Sequence, residues 1–562
     1  MDTLKFWPAL AIIVLVTACR EPTAETARPG HPLFSLGSVT SCPNPSIVVT
    51  NEADLLAALA GASAGDVIGL DGVIEVAADL SISVEGVTLT CATPGSGLRV
   101  AVGATVSSLV KVLAPFVTVN GLTLDGTGAG DPYLALNDPD DIDNDGVTGT
   151  ASDVRLTNNT VMCSVGDCAF FFATRNAVVS GNEFHSTGSF TGIQLQGGID
   201  GSRVERNTIV ATVPSTNPNL GGIRVRDGTG VVVADNVVRG PWANSLAAQN
   251  LTGATISGNR VEPDGSARGI LLFAMDGVVV DNNTLIGAGG AVEALEIDGS
   301  TGVVMSRNAI TGSWVDAFVL LNTSGAQIVD NTVTCGSDEC VFGSGAPGTV
   351  VAGNHFTSGG SGTGIQMQAG TDGVRVENNE IVATTPAGGV NLGGIRVRDG
   401  ANVVIAGNVV RGPWQNGLAL ADLADSRIEQ NQVDGALQYG IRARSGGSSL
   451  PVSMTHDLFR ANRITGAGLA GILLTSACGN QLVGNNLQGN AENIGAIFDG
   501  PSGANVFVGN ATVVIDDALP LDCDGDGAGD PNVISAQGRV LRGVPLAPIP
   551  DGAEHGSRVR LR

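Results

Sequence analysis

The chain has 562 residues, of which 80 are glycine, 15% charged and 4% aromatic, and its formal net charge is −25. So much glycine without a G-X-Y period, beside a 43% apolar share, excludes collagen-like and disordered chains and points to many turns around a real core. The acidic balance, with lysine only at Lys5 and Lys111, argues against nucleic acid as a partner.

The N-terminus reads MDTLKFWPALAIIVLVTACR. Its apolar run, Phe6 to Val16, is too short to span a bilayer and reads as an export signal over residues 1–18. A cysteine directly after small residues resembles the lipobox of bacterial lipoproteins. That resemblance implies cleavage before Cys19, a lipid on its sulfur and a membrane as partner, with anchoring at the cell surface or outer membrane. An ordinary signal peptide with an incidental cysteine is the alternative. Residues 19–44 then form a polar, proline-bearing tether.

Nine cysteines less Cys19 leave eight, an even number suited to an oxidising compartment. Cys163 and Cys168 share the C-x4-C spacing of Cys335 and Cys340, so bonding within each pair is expected. This leaves Cys42 for Cys91 and Cys478 for Cys523. A metal reading would need further Cys or His ligands nearby.

From residue 45 to about 515 short alternating segments recur. Asn182, Asn207, Asn236, Asn259, Asn283, Asn308, Asn331, Asn354, Asn379, Asn408 and Asn431 repeat roughly every 24 residues, the mark of a solenoid. Asparagine tolerates the left-handed bend between two short strands, and stacked asparagines can bond amide to amide. Period-2 alternation in GIRVR turns Ile223 and Val225 inward and Arg224 and Arg226 outward. Ahead of the coils, Asn51 can cap a short helix through EADLLAALAG that covers the open first coil. Residues 131–150 and 212–219 read as loop insertions, and 516–562 as an acidic loop and tail.

These features resemble the right-handed parallel β-helix, or pectin-lyase-like, family with its asparagine ladder. The fold expected is therefore all-β, a right-handed parallel β-helix of about 24 residues per coil. Within it lies a duplication. NLGGIRVRDG occurs at 219–228 and again at 391–400, 172 positions on, and segments 161–262 and 333–434 correspond. Counting inward strand positions, about seven coils separate the copies.

Three stretches could carry chemistry. LDCDGDGAGD resembles a thrombospondin type 3 calcium repeat and offers Asp522, Asp524, Asp526 and Asp530 to a hard cation. Asp141, Asp143 and Asp145 repeat the D-x-D-x-D-G spacing, and both would hold Ca2+ structurally; a solvated acidic loop is the alternative. Arg396 and Arg398 should lie two coils below Arg442 and Arg444, with Ala419 and Ala421 between and Gln366 and Gln368 one coil before. This polar, cationic groove suits a sugar carboxylate or sulfate. The first copy keeps Arg224 and Arg226 but has Leu271 and Phe273 in place of the upper arginines. A solvated face balanced by Asp227 and Asp399 is the alternative. Trp242 and Trp414 follow RGP in both copies and could stack on a sugar or pack over the coil edge.

The resemblance implies polysaccharide lyases and glycoside hydrolases, but the N-T-D, D-D, H-G and R-I-K motifs of galacturonan hydrolases are missing from the strands. His185 and His355 occupy non-equivalent places. The expectation is a surface-anchored β-helix that binds glycans, acidic polysaccharide among them, or neighbouring surfaces without catalysis. The alternative is a divergent lyase performing calcium-assisted β-elimination with an arginine (Arg224, Arg396 or Arg442) as base.

Overall fold

A computed structural model describes residues 42–536 and a last strand at 540–542. Undescribed gaps fall at 142–145, 147, 189, 216–220, 266, 337, 360–361, 387, 390–391, 447–452, 492–493, 500–501, 510–511, 517–520 and 525. Cys19, Asp143 and Asp145 lie outside the described residues.

The chain winds as a parallel β-helix whose coils each contribute short strands to three sheets. Among the described residues the first sheet has 20 strands, from Ile47–Val49 to Val533–Ala536, and the second has 16, from Val73–Val76 to Arg463–Thr465. The third runs from Leu80–Ile82 to Val540–Arg542. Nearly every pairing is parallel because each coil bonds to the next, so both faces of a strand are not equivalent: one faces the interior stack, the other the outside. Ile223, Val225, Leu246, Ile270 and Leu272 are all fully buried in that stack. Each such side chain contributes about 1.5–3 kcal/mol.

Asparagines form the interior rail. Starting from Asn159, each Nδ2 donates to the Oδ1 of the next ladder asparagine at 2.9–3.0 Å, through Asn182, Asn207, Asn236 and onward to Asn462 and Asn485. The left-handed residue is not the ladder asparagine but the one before it: Arg206 at φ 54°, Asp235 at 55°, Arg307 at 52°, Gly353 at 67°. The expectation that asparagine is chosen for the bend is therefore corrected. The bend belongs to its neighbour, and the amide is required because backbone N–H and C=O groups at the turn must be bonded inside the stack.

Helix α1 (Glu52–Ala60) caps the first coil, with Asn51 Oδ1 accepting from Asp54 N at 3.0 Å and Leu55 and Leu59 buried beneath it. All four disulfides have the expected partners. Cys42–Cys91 ties the entry segment to the second coil, and Cys478–Cys523 ties the aspartate loop to the third sheet.

Two expected boundaries move. Residues 131–138 are a strand of the third sheet, paired on both sides, so the insertion shrinks to a hairpin whose arms meet at Asn137–Thr150 and Asp138–Gly149. The coils also continue past 515: Val506–Gly509 pairs with Val533–Ala536, and Val513–Ile515 with Val540–Arg542. The acidic stretch is thus a loop within the last coils.

The duplication keeps register. Along the outward face of the third sheet, Phe170 pairs with Gln194, then Arg224, Ala247, Leu271, Glu296, Val319 and Phe342, seven steps from Phe170 to its counterpart. Only a copy of whole coils leaves inward residues inward.

Candidate functional site

The outward face of the third sheet is recessed over much of its length, although Phe273 stands exposed on it. Outward positions on a strand should be exposed, yet Ala247, Glu296, Val319, Gln366 and Ala419 are each at most 9% exposed. Along this groove the second copy assembles the arginine stripe in the expected order. Gln366 pairs with Arg396, Arg396 and Arg398 with Ala419 and Ala421, and these with Arg442 and Arg444. The four arginines, the two alanines, Leu420, Asp422 and Gly446 line an open cleft of about 380 Å³, part of it bulk solvent.

The positioning follows from the coil. Inward Ile395 and Val397, and Ile441 and Ala443, anchor the strands, so the guanidiniums between them must point out. Skipping one coil places the arginine pairs roughly 9.6 Å apart, two strand spacings, with alanine methyls between. Arg396 Nη1 donates to Gln366 Oε1 at 3.0 Å, and Arg398 Nε lies 3.3 Å from Asp399 Oδ2. Asp399 therefore does balance one arginine, as the solvated-face alternative holds, while the cleft still carries four guanidiniums. Asp422 is held by Gly446 N at 2.6 Å and by the Ser453 hydroxyl.

The first copy repeats the lower part only. Gln194 pairs with Arg224 and Gln196 with Arg226, and Arg224 Nη1 donates to Gln194 Oε1 at 3.2 Å. Burial is the main cause holding the Arg224 guanidinium below its ordinary range, followed by Arg226; the charges of Asp167 and Asp227 act the other way. Above it come Ala247 and Gln249, then Leu271 and Phe273.

Trp242 and Trp414 are each 1% exposed, so they are not sugar platforms. The Trp242 indole donates to Arg239 O at 2.9 Å and lies over Gly222, where an added Cβ would collide with Val238 Cγ1 and come within 2.9 Å of Ser245 O and 3.2 Å of the indole Nε1. The second glycine of NLGGIRVRDG is glycine because of this close approach. Trp314, buried alike and donating to Thr311 O at 2.9 Å, fills the same place in a coil between the copies, where no sequence identity drew attention to it.

In the C-terminal loop, carboxylate oxygens of Asp522, Asp524 and Asp530 lie within 4.8 Å of one another. Asp526 is outside that group, and its Oδ1 accepts from Ala528 N at 2.7 Å. Gly527 supplies the bend at φ 87°, and Gly527 N donates to Asp522 Oδ2 at 2.8 Å. Asp141 accepts from Gly146 N at 3.0 Å.

Two acidic features escaped sequence reasoning. Glu296 and Asp298 stand in the groove between the arginine pairs of the two copies, at 7% and 6% exposure. Arg268 Nε is 2.7 Å from Glu296 Oε2, and Asn322 Nδ2 donates to Asp298 at 3.2 Å. At the head of the third-sheet strands, Asp316, Asp338 and Glu339 bring carboxylate oxygens within 4.8 Å. Burial first, then the charges of Asp338 and Asp316, hold the Glu339 carboxyl well above the usual carboxylate range.

These coils define a right-handed parallel β-helix. The family model described as "Right handed beta helix region" matches residues 145–296 and 288–433, and the chain belongs to that family. A second model, "Periplasmic copper-binding protein (NosD)", matches residues 388–507. A search of curated proteins finds no match. Among solved structures, the chain is similar to PfbA, a surface adhesin of Streptococcus pneumoniae, at 11% identity and TM-score 0.36, covering 56% of this chain and 87% of that one. It is similar to a mannuronic acid specific polysaccharide family 6 lyase from human gut microbiota at 12% identity and TM-score 0.38, covering 64% and 86%. It is also similar to the alginate lyase AlyF-OU02 at 13% identity and TM-score 0.39, covering 66% and 84%. These likenesses concern the fold alone.

Proposed function

We propose that this exported β-helix binds anionic glycans through the third-sheet groove and performs no chemistry on them. The observation that carries this is the cleft of Arg396, Arg398, Arg442 and Arg444 over a floor of Ala419 and Ala421. Guanidiniums present forked donors that match carboxylate or sulfate oxygens two at a time, and the alanines leave room for a sugar ring between them. Arginine keeps its proton near neutrality, so such a lining favours holding an anion over abstracting a proton. Four disulfides fit an oxidising compartment, in keeping with export. Cys19 is proposed to carry the lipid that holds the chain at the cell surface, and Asp522, Asp524 and Asp530 to hold a structural Ca2+.

Soluble protein is tested by retention on immobilised polygalacturonate and on a sulfated glycan, with calcium present. Arg396→Glu with Arg442→Glu should weaken retention sharply while leaving the melting transition in place; retention unaltered by the double change sinks the cleft as a binding site. Ultraviolet absorbance from an unsaturated product would instead establish the lyase reading.

A further inference from the structure

The groove carries the same three-residue column twice. In the first copy Phe170 pairs with Gln194 and Gln194 with Arg224; in the second Phe342 pairs with Gln366 and Gln366 with Arg396. In each copy the arginine Nη1 donates to the glutamine Oε1, at 3.2 Å and 3.0 Å. The amide thereby fixes one guanidinium edge and leaves the column with an aromatic ring, an amide and a cation facing one groove. Both columns lie on one continuous sheet face, seven coils apart, which at about 4.8 Å per coil is roughly 34 Å.

From this repetition we infer that the partner is one extended anionic polysaccharide laid along the groove and gripped at both columns, so that affinity depends on chain length. The inference rests on the glycan reading above and adds to it the size of the ligand. Two sites fixed on one rigid face convert the second contact into an intramolecular event, which strengthens binding by about 10²–10⁴ when the ligand spans them and by nothing when it does not. Between the columns the chain must pass Glu296 and Asp298, the sign break of the groove. Arg268 offsets Glu296 at 2.7 Å, and the remaining negative charge is a cost only a spanning ligand meets.

The test compares a galacturonate trisaccharide with polygalacturonate long enough to pass 34 Å (roughly, seven strand spacings), by calorimetry on the soluble full chain. The polymer should bind at least about a hundredfold tighter than the trisaccharide. Arg224→Gln with Arg226→Gln should remove most of that advantage, while trisaccharide affinity at the second copy stays unchanged and its stoichiometry halves. Glu296→Gln with Asp298→Asn should tighten the polymer and leave the trisaccharide alone; this second variant keeps the outward side chains isosteric and so preserves the fold. Equal affinities for polymer and trisaccharide, or a polymer indifferent to both double changes, overturn the two-point grip while leaving a single glycan cleft standing. Failure of both probes to bind the unaltered chain overturns the glycan reading itself.

Discussion

Within each coil from Asn159 to Asn485, two neighbouring residues divide the labour of the turn. The first takes positive φ, and the second is the ladder asparagine. At Arg206, Arg307, Gln430 and Ala461 the first residue is not glycine, which costs about 1 kcal/mol per position relative to a glycine there. A second rail replaces asparagine by aspartate at one step: Asp457 Oδ1 accepts from Ser426 N at 2.8 Å, and Asp457 N donates to Asn480 Oδ1 at 2.8 Å. Burial, reinforced by Asp425, pushes the Asp457 carboxyl up to about 7, against a hydrogen bond from Ser426 N that favours the anion. A raised carboxyl stabilises the fold while neutral, so its contribution is intact below about 4 and is lost as pH rises through 7. Asp457→Asn should therefore melt higher than the parent at pH 8 and alike at pH 4 (both about, set by the span of the shift). A gap that stays constant with pH would show that folding does not raise the Asp457 carboxyl.

At the scale of elements, the third-sheet strand was the most legible unit, and its surroundings the least. GIRVR declares its inward and outward residues by alternation alone, a local property, and the pairing Arg396–Ala419–Arg442 follows from counting coils. The groove's depth is not local: it depends on what flanks each strand in neighbouring coils, and so the burial of Glu296 and Val319 could not be read from EALEID or DAFVLL. Trp242 and Trp414 mark the same limit, because a duplicated position announces importance without saying whether the ring faces sugar or core. Residues 131–138, expected as part of a loop insertion, form a strand because strands on both sides supply hydrogen bonds that the segment alone does not announce. The aspartate loop is an element in its own right, closed by Asp530 N donating to Leu521 O at 2.9 Å. Calcium should raise the melting temperature, chelator should reverse the gain, and Asp522→Asn with Asp524→Asn should erase it, as read by calorimetry. Identical transitions with calcium and with chelator would leave the loop a solvated acidic turn.

At the largest scale, the coils form a one-dimensional stack in which each meets only its neighbours, so that copying seven coils lengthens the stack without disturbing what lies on either side. Such a stack projects its groove from wherever its first coil is held. Cys19→Ser should move the exported chain from the membrane fraction to the soluble one; a parent chain already soluble would show that Cys19 carries no lipid. The covalent tie between Cys42 and Cys91 then acquires a mechanical meaning. Tension arriving through the polypeptide ahead of Cys42 passes across the sulfur bridge directly to Cys91. Residues 43–90, with α1 and the first coil, lie off the covalent path that such a pull would follow. With the lipid proposed at Cys19, the bridge would spare the first coil from being the part peeled first.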